Sequence, residues 1–159
     1  MVKTLIVYDS VYGNTEKIAM AIAEAIASDG GAKVLRASEA DVAELESADL
    51  LIVGCPTHAG RPTQAMQEFL SRVAESSLEG IRAAAFDTRV QARWVKILGF
   101  AAPKIAGSLK KKGATLVAGP AGFFVTGKEG PLKDGELERA GDWGREMQRI
   151  TDDAAARSN

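Results

Sequence analysis

Cysteine and histidine are nearly absent from this chain of 159 residues, with Cys55 and His58 the single copies of each. One cysteine excludes an intramolecular disulfide and a thiolate zinc site. One histidine excludes a His-based triad or a multi-histidine metal centre built within the chain. A composition without a disulfide framework suits a reducing cytosol. No apolar stretch approaches the ~20 residues needed to span a bilayer. No basic n-region, apolar h-region and small-residue cleavage site follow Met1, so the expectation is a cytoplasmic protein without stable membrane insertion. Excess charge is missing too: 20 Lys and Arg against 21 Asp and Glu leave a net charge of −1, which supplies no global positive field for nucleic acid. The charge is nevertheless uneven. Residues 1–80 carry 6 basic and 12 acidic side chains, whereas residues 81–159 carry 14 and 9. With 46% apolar, 26% charged and only 6% aromatic residues, the composition is that of one globular domain spanning 1–159. A domain of this size buries roughly 70% of the surface that its unfolded form exposes, enough for a core without staples.

The hydrophobic period alternates between strand and helix, with no internal repeat. Lys3 to Tyr8 is a short β-branched run that stops at Asp9-Ser10. Ile18, Ala21, Ile22, Ala25 and Ile26 then recur at helical spacing until Gly30-Gly31. Ala32 to Arg36 reads as a second strand and Asp49 to Gly54 as a third, apolar on both faces as in the centre of a parallel sheet. Pro62 is expected to open a helix through about Glu75, and Ile81 to Phe86 to form the fourth strand. A second proline-led helix is expected from Pro103 to about Lys112, with Lys110, Lys111 and Lys112 at the negative end of its dipole. Ala114 to Val125 contains the fifth strand. Glu136 to about Thr151 closes the chain as a helix, with Leu137, Ala140, Trp143, Met147 and Ile150 on its buried side, and Arg157-Ser158-Asn159 fraying. Five strands alternating with helices predict an open, parallel α/β sheet whose ligand sits at the carboxyl ends of the strands, where strand order reverses.

Three loops lie at that end. The first, Asp9-Ser10-Val11-Tyr12-Gly13-Asn14-Thr15, runs from a strand into a helix start. It reads as an anion cradle: free N–H groups at the helix N-terminus point at a phosphate, Gly13 permits close approach, and Ser10 and Thr15 add hydroxyls. The plainer reading is a capped first turn with Asn14 or Thr15 as N-cap. Neither a Walker A lysine nor G-x-G-x-x-G is present, so a nucleoside triphosphate or a nicotinamide dinucleotide has no residue support. The second loop, Cys55-Pro56-Thr57-His58-Ala59-Gly60-Arg61-Pro62, follows the third strand. Cys55 reads as a small buried residue rather than a nucleophile. The third starts Asp87-Thr88-Arg89 and runs to Arg93-Trp94, with Asp87 the only carboxylate between Arg82 and Glu129.

Ser10, Gly13 and Thr15, with Asn14 and Glu16 continuing the run, resemble the first loop of the flavodoxin family, which typically reads S/T-x-T-G-x-T. Tyr12 departs from it and is similar to the aromatic of flavodoxin-like quinone reductases. Gly54-Cys55-Pro56-Thr57 resembles the Gly-x-Pro-Thr of flavodoxin-like proteins. The resemblance covers nearly the whole chain in element order. It implies a flavodoxin-like three-layer sandwich with a five-stranded parallel sheet in the order 2-1-3-4-5 and helices on both faces. It also implies a noncovalent flavin mononucleotide (FMN). Ser10 to Thr15, with the Val11 and Tyr12 amides, would hold its phosphate. Pro56, Thr57, His58, Ala59 and Gly60 would flank one side of the ring, and Asp87, Thr88, Arg89, Arg93 and Trp94 the other. The peptide before Gly60 would reorient toward the flavin, and His58 is a flavin-edge contact or a protonation-linked modulator, or else an exposed loop residue. Trp94 is either a flavin platform or a packed anchor. Arg89, Arg93 and Lys96 replace the acidic loop of many flavodoxins and would favour negative charge on a reduced flavin, raising its potential.

The function implied is electron transfer between redox partner proteins, a reductase and an acceptor, by a monomer or homodimer. Three alternatives stand beside it. One is an FMN-dependent oxidoreductase of quinones or a tetrapyrrole precursor fed by NAD(P)H, which Tyr12 favours and the short chain disfavours. The second is an interaction module that has lost its flavin. The third, a phosphorylated receiver domain, is disfavoured because the third strand ends in Gly54-Cys55-Pro56 instead of an aspartate.

Overall fold

The structure is a computed structural model that describes residues 2–91 and 95–158, and of Val95 and Lys96 the backbone alone. Arg93 and Trp94 lie outside the described residues. The elements in chain order are β1 (Thr4–Tyr8), α1 (Asn14–Ala25), β2 (Ala32–Arg36), β3 (Leu50–Pro56), α2 (Gln64–Arg72) and β4 (Arg82–Val90). They are followed by α3 (Val95–Leu98), α4 (Ala101–Lys111), β5 (Thr115–Leu116), β6 (Ala121–Val125) and α5 (Glu136–Arg157). All strands pair in parallel in the order β2-β1-β3-β4, and β4 then pairs with both β5 and β6. The order 2-1-3-4-5 therefore holds with the fifth position divided in two. Pro120, which has no N–H to give to a ladder, and Gly119 separate the pieces.

Strand alternation assigns the core. Leu5, Val7, Leu51 and Val53 face one layer, formed by Met66 and Phe69 of α2 and Ile105 and Leu109 of α4. Ile6, Tyr8, Leu50 and Ile52 face the other, formed by Ile18 and Ile22 of α1 and Ala140 and Met147 of α5. Phe86 of β4 stacks edge-on with Phe123 and Trp143, ring centroids 5.9 and 6.0 Å away. Its ring occupies the space beside Gly54, where a Cβ would sit 2.3 Å from it.

Several boundaries differ from expectation for local reasons. Helix α2 starts two residues after Pro62, because Thr63 is the N-cap and its hydroxyl accepts from the Met66 N–H. It stops at Arg72. Helix α4 starts at Ala101 and places Pro103 within its first turn, where the missing N–H costs nothing. Strand β4 extends four residues past Phe86, and α5 continues to Arg157. Leu137 is 46% exposed rather than buried. Glu136 takes the inward position, accepting the Phe124 N–H at 2.7 Å and pairing with Arg139, which turns its neighbour outward. Those donors, Arg139 first, hold the Glu136 carboxyl below the usual carboxylate range.

Candidate functional site

The carboxyl ends of β1, β3 and β4 open into a cleft of about 720 Å³, within the range of small-molecule and cofactor sites. It sits between β1 and β3, where the chain's strand order reverses. One wall is the loop into α1. Ser10, Val11, Tyr12, Asn14 and Thr15 line the cleft, while Gly13 stands behind them as the left-handed N-cap of α1 at φ +91°. The plainer reading, an N-cap at Asn14 or Thr15, does not hold, because the N-cap is Gly13. Instead the Ser10 Oγ accepts the N–H groups of Gly13 (3.1 Å) and Glu16 (3.3 Å) from outside the helix. Its own proton is left for an acceptor in the cleft. Among the described residues, the N–H groups of Val11, Tyr12, Asn14 and Thr15 have no acceptor, and the last two belong to the unpaired first turn of a helix. Thr15 Oγ1 lies 2.8 Å from Thr88 Oγ1, which ties this wall to β4.

The second wall is a tight hairpin. His58 and Arg61 exchange N–H to carbonyl bonds at 2.9 Å, and the two residues between them both have positive φ, Ala59 at +50° and Gly60 at +78°. This is the conformation of a type I′ turn. Gly60 is required there, since a Cβ would stand 2.1 Å from the Leu98 carbonyl oxygen of α3. The Lys104 Nζ donates to the Gly60 carbonyl at 2.5 Å, and the Thr57 Oγ1 accepts the first N–H of α4, from Ala101, at 3.0 Å. Pro56, Thr57, exposed His58, Ala59 and Gly60 all line the cleft, with Leu98 beside them.

The third wall is Thr88, Arg89 and Val90 of β4 with Val125 of β6. A family model for flavodoxin matches residues 6–143. The chain belongs to the flavodoxin family. The fold is similar to that of a solved flavodoxin from the domain Archaea, with a TM-score of 0.79 and 24% identity over 94% of this chain and 99% of that one. It is also similar to oxidised Flavodoxin 1 from Bacillus cereus, with a TM-score of 0.77 and 22% identity over 92% and 97% of the two chains. A curated relative, an NAD(P)H dehydrogenase (quinone) of Acidovorax ebreus (strain TPSY), is 33% identical over 111 residues. That match covers 54% of this chain and 56% of the relative, so the chain spans just over half the length of that protein. Flavodoxins bind FMN and transfer electrons, and this protein is an FMN-binding electron-transfer protein of that family.

The residues present fit the cofactor. A phosphate monoester needs several donors converging at one point. The unpaired N–H groups and the Ser10 hydroxyl of this flavodoxin supply them beside the positive end of α1. A planar aromatic ring needs apolar walls, and Val11, Tyr12, Leu98, Val90 and Val125 line the same cleft. When bound, FMN supplies the chemistry of accepting and returning electrons. The protein orients it and sets the local charge.

That charge differs from the sequence expectation. Asp87 is fully buried and does not line the cleft. Its carboxylate grips Arg89 with two bonds, Nε at 2.7 Å and Nη2 at 2.8 Å, and accepts the Ala102 N–H at 2.9 Å. Residues i and i+2 of a strand share a face, which brings this pair together. Arg89 also lies over the Phe100 ring, 3.6 Å from its centroid. Its positive charge is thus compensated within the wall and does not stand free beside a flavin. Arg93 and Trp94, expected near the ring, lie outside the described residues, as does the Lys96 side chain. Cys55 is fully buried, and desolvation pushes its thiol up to about 12, consistent with a packing role rather than a nucleophile. Val125 and Lys128 line the cleft without having been anticipated. Val125 ends β6 and Lys128 follows it, about 110 residues after the first loop in sequence. The available signal was topological: a residue at the carboxyl end of the strand next to β4 belongs at the same mouth.

Proposed function

We propose that this flavodoxin, as one domain spanning residues 1–159, carries electrons between a reductase and an acceptor protein rather than oxidising NAD(P)H by itself. In this reading Ser10, Val11, Tyr12, Gly13, Asn14 and Thr15 hold the FMN phosphate. Pro56 to Gly60 flank one side of the ring, and Thr88, Arg89, Arg93 and Trp94 the other. Asp87 acts from behind by fixing Arg89. The observation that carries the proposal is the mouth of the cleft. Val11 and Tyr12 are 52% and 44% exposed, and Leu98 and its neighbour Ile97 are exposed on the opposite side. An apolar rim around a flavin edge suits transient contact with a partner. Among the described residues that line the cleft none forms a dinucleotide fingerprint.

The matching quinone dehydrogenase from Acidovorax ebreus favours a second reading, an oxidoreductase that takes hydride from NAD(P)H and reduces a quinone. The purified protein loaded with FMN separates the two. A carrier oxidises NADH or NADPH negligibly when alone, yet once chemically reduced it passes electrons rapidly to a one-electron acceptor such as ferricyanide. Sustained NAD(P)H oxidation that depends on added quinone would establish the enzyme reading instead.

A further inference from the structure

Lys128 lines the cleft from the loop that follows β6. The loop after β6 is closed on itself: the Thr126 N–H donates to the Pro131 carbonyl at 2.8 Å and the Gly130 N–H to the Gly127 carbonyl at 3.0 Å. Its tip is pressed against the start of α1. The Asn14 amide donates to the Glu129 carbonyl at 3.1 Å, and a Cβ on Gly130 would meet the Asn14 side chain at 2.7 Å. Gly130, at φ +102°, therefore lets the loop seat directly on the first residue of the helix. Lys128 is carried at that tip and lines the same cleft as Ser10, Asn14 and Thr15. Among the described residues no carboxylate lies within 4.0 Å of its ammonium. Among the described residues the other Lys or Arg that lines the cleft is Arg89, and it is committed to Asp87. The carboxylate at the head of α1, Glu16, is occupied by Arg36 and the Tyr8 hydroxyl.

We propose that Lys128 neutralises the phosphate monoester of FMN from the loop seated beside Asn14. Residues 9–15 contain no lysine or arginine, so the backbone donors there face a dianion with no formal countercharge of their own. Lys128 supplies one. The assignment rests on the FMN reading above and adds to it a charged contact specific to the phosphate.

Flavin fluorescence quenching tests it, with the wild-type apoprotein, Lys128→Gln and Lys128→Arg each titrated with FMN and with riboflavin, which lacks the phosphate. The expected result is that Lys128→Gln weakens FMN binding about fivefold, the upper end for a partly exposed ion pair. Riboflavin binding stays the same, and Lys128→Arg restores FMN. Raising ionic strength from about 0.01 to about 1 M shortens the screening length from about 30 to about 3 Å, so it weakens FMN binding more in the wild type than in Lys128→Gln. Equal losses for both flavins, or no loss for either, would overturn the assignment and leave the FMN reading standing. A wild-type protein that quenches neither flavin overturns both.

Discussion

Replacing Asp87 with alanine removes three bonds from a carboxylate that has no solvent exposure: two to Arg89 and one to the Ala102 N–H that opens α4. The Arg89 side chain, 15% exposed, is left without its counter-ion. Breaking such a pair by deleting one partner costs about 3–5 kcal/mol, because the remaining charge stays desolvated. The lost helix-start acceptor brings the expectation to about 4–5 kcal/mol, a large share of the about 5–15 kcal/mol that holds a typical domain. For a domain of this length about 2–4 °C accompanies each kcal/mol, so thermal unfolding of the apoprotein should shift down by about 8–20 °C. Urea titration followed by far-UV circular dichroism gives the same loss independently. The double variant Asp87→Ala with Arg89→Met tests the cause. Its apolar stem still covers Phe100 and no charge is stranded, so it should recover a substantial part of the loss. Asp87→Ala costing under about 1 kcal/mol, or a double variant no more stable than the single one, would refute the reasoning. With FMN bound, freeing Arg89 in Asp87→Ala places an uncompensated cation at the cleft wall and should move the flavin midpoint potential in the positive direction.

Gly60→Ala combines a left-handed backbone with a Cβ 2.1 Å from the Leu98 carbonyl oxygen. It should cost about 2 kcal/mol or more and weaken FMN as α3 is displaced, whereas unchanged melting and flavin affinity would show that α3 does not seat on this turn. Cys55 supplies a pH dependence. Its thiol is raised from 9.0 to about 12 in the folded protein, chiefly by desolvation, so above pH 9 the unfolded chain loses this proton while the folded one keeps it. Stability should therefore fall by up to about 1.4 kcal/mol per pH unit between pH 9 and 12. Cys55→Ala should lack that slope in paired urea titrations, and parallel curves for the two proteins would contradict the assigned environment.

The parts of the fold legible in the sequence were those where pattern and packing agree. Ala32–Arg36 was bounded as observed, and the apolar run through Val53 gave β3 because a central strand is covered on both faces. The divided fifth strand and the four-residue α3 were not legible, since short elements are set by their neighbours more than by their own period. The inward turn of Glu136 depended on the Phe124 N–H, a partner twelve residues away on another element. In the site, the first and second loops were readable because each is a contiguous run, and the structure places Ser10, Val11, Tyr12, Asn14, Thr15 and Pro56 to Gly60 around one cleft. The bonds of Ser10 are not legible in the sequence, because its hydroxyl accepts from N–H groups three and six residues further along the chain. The position of Asp87 after the fourth strand implies a place beside the flavin, whereas its i, i+2 spacing to Arg89 pairs the two on one strand face. Lys128 is not legible as a cleft residue in the sequence, because only the fold brings its loop to Asn14.

Stoichiometric FMN titration of the apoprotein, followed by visible absorption and fluorescence, tests the central claim most directly. The account predicts one FMN per chain, with affinity tighter than micromolar and a flavin spectrum perturbed by the cleft walls. A chain that leaves FMN free at micromolar concentrations would contradict it.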